Sequence, residues 1–200
     1  MNRLFRYSRD TLLLLLFMLG LQGTAAAQAP LSTQEITDLT YMREEEKVAR
    51  DVYTVLNRYW GWQTEVFANI AASEQQHMDT MKKMLDKYGL PDPVVLDVTG
   101  AFTNPKLKAL YEELVERGKQ SLLEGLKVGA LIEEVDMVDI STAYDNTTHR
   151  DLQNAYTNLQ AGSRNHLRAF AGNIVNLTGT PYVAQYLSQE SVDEILASDD

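Results

Sequence analysis

Four stretches of this chain carry apolar residues at steps of three and four, and each stripe is interrupted near its middle by an acid, a histidine or both. Such steps trace one face of an α-helix. The first stripe reads Leu39, Met42, Glu46, Ala49, Tyr53, Leu56, Trp60, and the second Phe67, Ile70, Glu74, His77, Met81, Met84, Tyr88. The third reads Leu122, Leu126, Gly129, Glu133, Asp136 (or Met137), Ile140, and the fourth Leu152, Tyr156, Leu159, Ser163, His166, Phe170, Ile174, Leu177. No stretch alternates as a half-buried strand would, so the fold class is all-α.

Caps and stops place the ends of these helices. Ser32-Thr-Gln-Glu35 is a capping box that opens the first helix, and Gly61 closes it after Trp60. Thr64 caps the second, which stops at Gly89 and Pro91. Asn104-Pro105 opens a short helix over 106–117 within a long connection. The third long helix covers about 120–143, the turn Asp145-Asn146-Thr147 follows, and the fourth runs over about 148–177 to Gly179 and Pro181. The expected architecture is an antiparallel four-helix bundle over 32–180. It is built of two hairpins joined by a crossover with one extra short helix, and a tail over 181–200 carries a last short helix.

Residues 1–27 stand apart from this fold. Arg3, Arg6 and Arg9, the apolar run 12–21 and Ala25-Ala26-Ala27 make a secretory signal peptide, with cleavage expected after Ala27 and a linker over 28–31. The run is too short to span a bilayer comfortably, and no cysteine follows it to carry a lipid. The expected location is the periplasm or the exterior, with no stable membrane insertion. Of the 18 basic and 28 acidic residues, the signal holds three and one, which leaves 15 and 27 and a formal charge of −12. Such a surface repels nucleic acid and attracts cations. With no cysteine there is no disulfide, thiolate metal site or cysteine nucleophile. Carboxylates and three histidines are the strong metal ligands that remain.

An unpaired carboxylate in an apolar interior costs several kcal/mol, and one in each of several facing stripes multiplies that cost. A divalent cation at their shared centre reverses the sign. Carboxylate with imidazole suits iron, manganese or zinc. Glu74 and His77, three residues apart, share one helix face. Glu46 lies about fifteen residues before the first turn and Glu74 about thirteen after it, level within about 3 Å. The second hairpin fits less well: Glu133 is about thirteen residues before Asn146 and His166 twenty beyond it, a mismatch of roughly 10 Å. Glu124 is the substitute ligand if that mismatch persists. Glu44 shares a stripe with Thr37, Thr40, Lys47, Asp51 and Arg58, which reads as a solvated face and excludes it. Glu45 is second choice behind Glu46, and Glu134 reads as exposed or as a neighbour of the ligands.

Glu46 with Tyr53, Glu74-Gln-Gln-His77 and Glu133-Glu-Val-Asp136 together resemble the metal signature of rubrerythrin and its ferritin-like relatives. The runs 42–53, Ala71-Ala-Ser-Glu-Gln-Gln-His77, Gly129-Ala-Leu-Ile-Glu-Glu134 and Gly162-Ser-Arg-Asn-His-Leu-Arg-Ala-Phe170 resemble, more closely, a bacterial and archaeal ferritin-like family of unassigned function. The resemblance covers about 32–190 and implies a ferritin-like bundle with two metal ions. In that pattern two helices give one Glu each and two give Glu-x-x-His. Glu46 and Glu133 are then the single glutamates, Glu74 and His77 the first pair, and His166 the end of the second. Ser163 stands where the second pair's Glu belongs, and Asp136 is the residue placed to replace it.

The expected centre is a di-iron one that reacts with O2 or peroxide, as a ferroxidase or peroxidase-like oxidoreductase. Lacking a cysteine cluster for electron relay, it needs an external reductant. Two other readings stay open: a non-catalytic metal-binding, storage or sensing bundle, and a metal-free helical interaction module. A homo-oligomer is also compatible. Among the remaining residues, His149 reads as a surface group, Met78, Met81 and Met84 as core filler, and Trp60 and Trp62 as staples of the first turn. Tyr53 and Tyr156 read as packing, or as groups hydrogen-bonded beside a metal. Arg164 and Arg168 read as partners of Glu134 or of surface acids.

Overall fold

The computed structural model describes residues 29–198. The predicted signal peptide and its cleavage site lie outside the described residues, apart from the linker's end. Six helices and no strand occur among the described residues: α1 (Thr33–Trp60), α2 (Val66–Tyr88), α3 (Pro105–Gly118), α4 (Leu122–Asp145), α5 (Arg150–Thr178) and α6 (Gln189–Ala197). None is long and apolar enough to cross a membrane.

Local chemistry sets the ends. Ser32 Oγ accepts from the Glu35 backbone N–H while Glu35 Oε2 accepts from that of Ser32, the reciprocal capping box. Asn104 with Pro105 opens α3, Ser121 opens α4 and Ser188 opens α6, each cap side chain accepting a backbone N–H. Gly89 and Gly179 stop α2 and α5 with φ of 67° and 71°, a conformation that disfavours any side chain. Thr64 lies two residues before α2, where its Oγ accepts from the Val66 N–H.

The long helices form a bundle of two hairpins, α1 with α2 and α4 with α5. Thr147 donates to Glu35, and Lys87 pairs with Asp151, so α1 begins where α4 ends and α2 ends where α5 begins. At the other end Thr64 bonds Asn173, and the Trp60 indole donates to the Gly118 carbonyl. Trp62 is 81% exposed, and its indole donates to the Tyr59 carbonyl within the turn. The crossover over 89–121 carries α3 against α1 and α4.

The apolar core is divided in two. One cluster gathers Val52, Tyr53, Leu56, Phe67, Ile70, Leu126, Phe170 and Ile174, and the other gathers Leu39, Met42, Met81, Leu85, Ile140, Leu152, Tyr156 and Leu159. On every long helix buried polar residues lie between the clusters: Glu46, then Glu74 and His77, then Glu133 and Asp136, then Ser163 and His166. Each large apolar side chain buried contributes about 1.5–3 kcal/mol. Giving a whole layer to acids and imidazoles therefore forgoes much of what the core gains elsewhere.

Candidate metal centre

Each donor reaches this layer by helical register. Glu74 and His77 stand one turn apart on α2, both buried. His77 Nδ1 lies 2.8 Å from Glu74 Oε2 and 3.1 Å from Glu46 Oε2. His166 Nδ1 lies 2.8 Å from Glu74 Oε1 and 3.3 Å from Glu133 Oε2. Glu74 thus belongs to two groups, with Glu46 and His77 on one side and with Glu133 and His166 on the other. In each group the ligand atoms all lie within 4.8 Å of one another. The two imidazole centroids are 5.4 Å apart.

The expected mismatch in the second hairpin disappears in the direction of the side chains. In a helix the Cα–Cβ bond tilts toward the N-terminus. Glu133 therefore leans away from the α4–α5 turn while His166 leans back toward it, and the two heads meet although their Cα atoms are staggered. Glu46 and His77, nearly level about the first turn, also meet. Glu124 is not called on as a ligand, because it pairs at the surface with Arg117 and Lys127.

Asp136 joins neither group. Ser163 Oγ donates to its Oδ2 at 2.6 Å, so the serine in the unusual position is the partner of the acid placed to replace it. Further residues hold the donors in place, and the stripes alone did not mark their roles. Tyr53 OH donates to Glu133 Oε1 at 2.6 Å, which gives it a role beside the ligands as well as in packing. Ser73 Oγ lies 2.8 Å from His166 Nε2. A Cβ on Gly162 would overlap His77 Nε2 and Cε1, so only glycine leaves that ring its place. Both rings are thereby fixed with Nδ1 toward the carboxylates.

The electrostatics follow from burial without counter-cations. Burial and the nearby Asp136 hold the Glu46 carboxyl well above its usual range, and burial raises that of Glu133. Asp136, buried and facing Glu133 and Glu74, is pushed up to about 8. Glu74 moves the other way: burial favours its neutral form, but the two imidazoles outweigh it and lower the carboxyl. Burial opposes charge on the histidines, yet Glu46 with Glu74 pushes His77 up to about 12, and Glu133 with Glu74 pushes His166 up to about 10. Neutralising these groups takes protons, or a metal ion in their place. The donor set fits a metal on a further count, since Glu46 Oε1 is buried with no hydrogen-bond partner.

Residues 35–199 match the family model of DUF2202, described as an uncharacterized protein domain. The chain belongs to this family. It is 48% identical over 169 residues to the uncharacterized protein MJ0754 of Methanocaldococcus jannaschii, covering 84% of this chain and 90% of that protein. It is also similar to the crystal structure of hypothetical protein MJ0754 from Methanococcus jannaschii, with a TM-score of 0.82 and 46% identity over 86% of this chain and 97% of that one.

Three expectations about neighbouring residues of this DUF2202 chain are corrected. The stripe of Glu44, Lys47 and Asp51 is not solvated: Lys47 and Asp51 are 0% exposed, and Glu44 accepts from the backbone N–H groups of Thr103 and Asn104. The crossover folds onto that face. Glu134 is fully buried too, accepting from Tyr182 OH and from the backbone N–H groups of Gln185, Tyr186 and Leu187, and so ties down the segment after α5. His149 is largely covered, its ring edge-on to Tyr88 and 3.7 Å from Glu35. Arg168 donates to the Ile195 carbonyl and to Ser198, which fastens α6.

Proposed function

We propose that this protein is a ferritin-like bundle that holds two divalent metal ions, iron among those its carboxylate and imidazole donors suit, and that the metal pair reacts with O2 or peroxide. One observation carries the reading: the two oxygens of Glu74 each face the Nδ1 of a different histidine at 2.8 Å. Glu74 would serve both ions, Glu46 with His77 one of them, and Glu133 with His166 the other. Hairpins joined by a crossover, with donors from all four long helices, are the arrangement that houses such centres in ferritin-like proteins.

When bound, the metal pair would supply electrons and open coordination positions to the oxidant. The chain's own part is to bind and to exclude water. Two apolar clusters close the layer from both sides. Tyr53 holds a proton at Glu133 Oε1, and Ser73 fixes the His166 ring. Turnover needs an external reductant, since the chain has no cysteine for a relay centre. The proposal includes export: Edman sequencing of the mature protein should begin at Gln28.

Metal analysis of anaerobically Fe(II)-loaded protein, followed by absorbance on adding O2 or peroxide, tests the reading. Two ions per chain and a new absorption band are expected. Absence of stoichiometric metal overturns it. Metal that binds but ignores both oxidants leaves a storage or sensing bundle instead.

A further inference from the structure

The seam between α1 and α4 holds acids that neither the centre nor the crossover uses. A recess of about 300 Å³ opens there, lined by Asp38, Tyr41, Met42, Asp139, Thr142 and Ala143. Glu45 lies within hydrogen-bonding reach of Tyr41 and Asp139. Glu45 and Asp136 also line a smaller cavity of about 100 Å³, walled otherwise by apolar groups such as Val48, Leu114 and Ile132. No residue lining either space is basic.

Glu45 and Asp136 are only 7% and 6% exposed, yet Glu45 Oε2 and Asp136 Oδ1 have no hydrogen-bond partner. Oε1 of Glu46, at the centre itself, is likewise buried and unpartnered. Buried acids without counter-charge are stable only when a proton or a cation neutralises them. Elsewhere on α1 the chain supplies Lys47 and Arg50 to a buried acid, Asp51. Along this seam it supplies none.

We propose that the seam is a cation port, in which a divalent ion entering at Asp38 and Asp139 is passed by Glu45 and Asp136 to the centre at Glu46. The inference rests on the two-metal reading above. Among the described residues, three donors converge only in the two groups of the centre, which suits passage rather than residence along the seam.

Co(II) alone serves as the probe, mixed with the full-length chain by stopped flow and followed through its d–d absorbance. Glu45→Gln and Asp139→Asn keep shape and remove charge. Each should slow loading by about tenfold and slow release to a chelator by a similar factor, with the final Co(II) stoichiometry of the wild type. Asp86→Asn, an exposed acid paired with Lys82 on α2, should load at the wild-type rate. Loading of both seam variants at the wild-type rate overturns the port and leaves the centre standing. An unchanged rate with a lower final stoichiometry also overturns it, since these acids would then be ligands. A wild-type chain that takes up no Co(II) overturns centre and port together. Thermal unfolding of the variants shows whether each is folded, and the half-exposed Asp139 carries the test if Glu45→Gln is not.

Discussion

Helix α1 buries charge on two faces and treats the two differently. Toward the crossover, Arg43 binds Asp92 through two nitrogens, Lys47 pairs with Asp51 and donates to the Val98 carbonyl, and Gly100 N–H donates to Asp51. Apart from Arg43 Nη1, the polar atoms of these side chains meet an opposite charge or a backbone group. Toward the bundle interior, Glu45, Glu46 and their neighbours Glu74 and Asp136 meet mainly other acids and two imidazoles, and Glu45, Glu46 and Asp136 each keep an oxygen without a hydrogen bond. Burial alone therefore does not mark a functional acid. An acid matched by cations and backbone donors is architecture, and one matched only by acids and histidines is poised for a cation.

The comparison breaks most directly at Glu74, the one donor common to both groups. Glu74→Ala should lower bound metal by at least one ion per chain, and so should His77→Ala, by elemental analysis after anaerobic loading. Unchanged metal in both variants would erase the distinction drawn for the interior face. The opposite face should respond in stability instead. Lys47→Ala strands Asp51 in the interior, at a cost of about 3 kcal/mol, the low end for a broken buried pair, because Arg50 still reaches Asp51 at 2.8 Å. Urea unfolding reads the loss, while metal stoichiometry should stay at the wild-type value.

The long helices were legible from their period, and several ends from the signals at Ser32, Gly61, Gly89, Asn104-Pro105 and Gly179, whereas α2 and α5 start at Glu65 and His149, whose side chains make no cap. The donors were legible because they interrupt otherwise apolar stripes, and the structure brings Glu46, Glu74, His77, Glu133 and His166 together while giving Asp136 to Ser163. What the stripes could not show is a second buried face on one helix. Glu44, Lys47 and Asp51 look solvated until the non-helical part of the crossover, around 98–104, lies over them. Glu134 is concealed for the same reason by the segment following α5. Gly162 and Ser73 are defined by contacts with rings on other helices, a relation that spacing along one helix does not contain.

Gly162 sharpens the comparison without touching a charge. Gly162→Ala places a methyl against the His77 ring, so the ring must shift although every donor is still present. Metal affinity should fall about 10–100-fold, the usual effect of losing support around a ligand, and stability by about 1–3 kcal/mol from overpacking. Competition with a chelator and urea unfolding measure the two. Wild-type affinity would show that the position of His77 does not govern binding.

The smallest expected effect concerns an acid of the architectural kind at the start of α1. Burial opposes ionisation of Glu35, but hydrogen bonds from Thr147 and Ser32 and the nearby His149 outweigh it and lower its carboxyl. A lowered carboxyl contributes stability that is present above the unfolded value of about 4.3 and is lost as the pH falls through the folded one. Glu35→Gln should therefore destabilise by about 1 kcal/mol at neutral pH, and the gap from wild type should close on acidification. Urea unfolding of both chains at about pH 7, 5 and 3.5 follows that gap across the titration. A gap that held constant to the lowest pH would mean that Glu35 acts as a neutral hydrogen-bonding group. The contrast between acids matched by donors and acids awaiting a cation would then not extend to the helix cap.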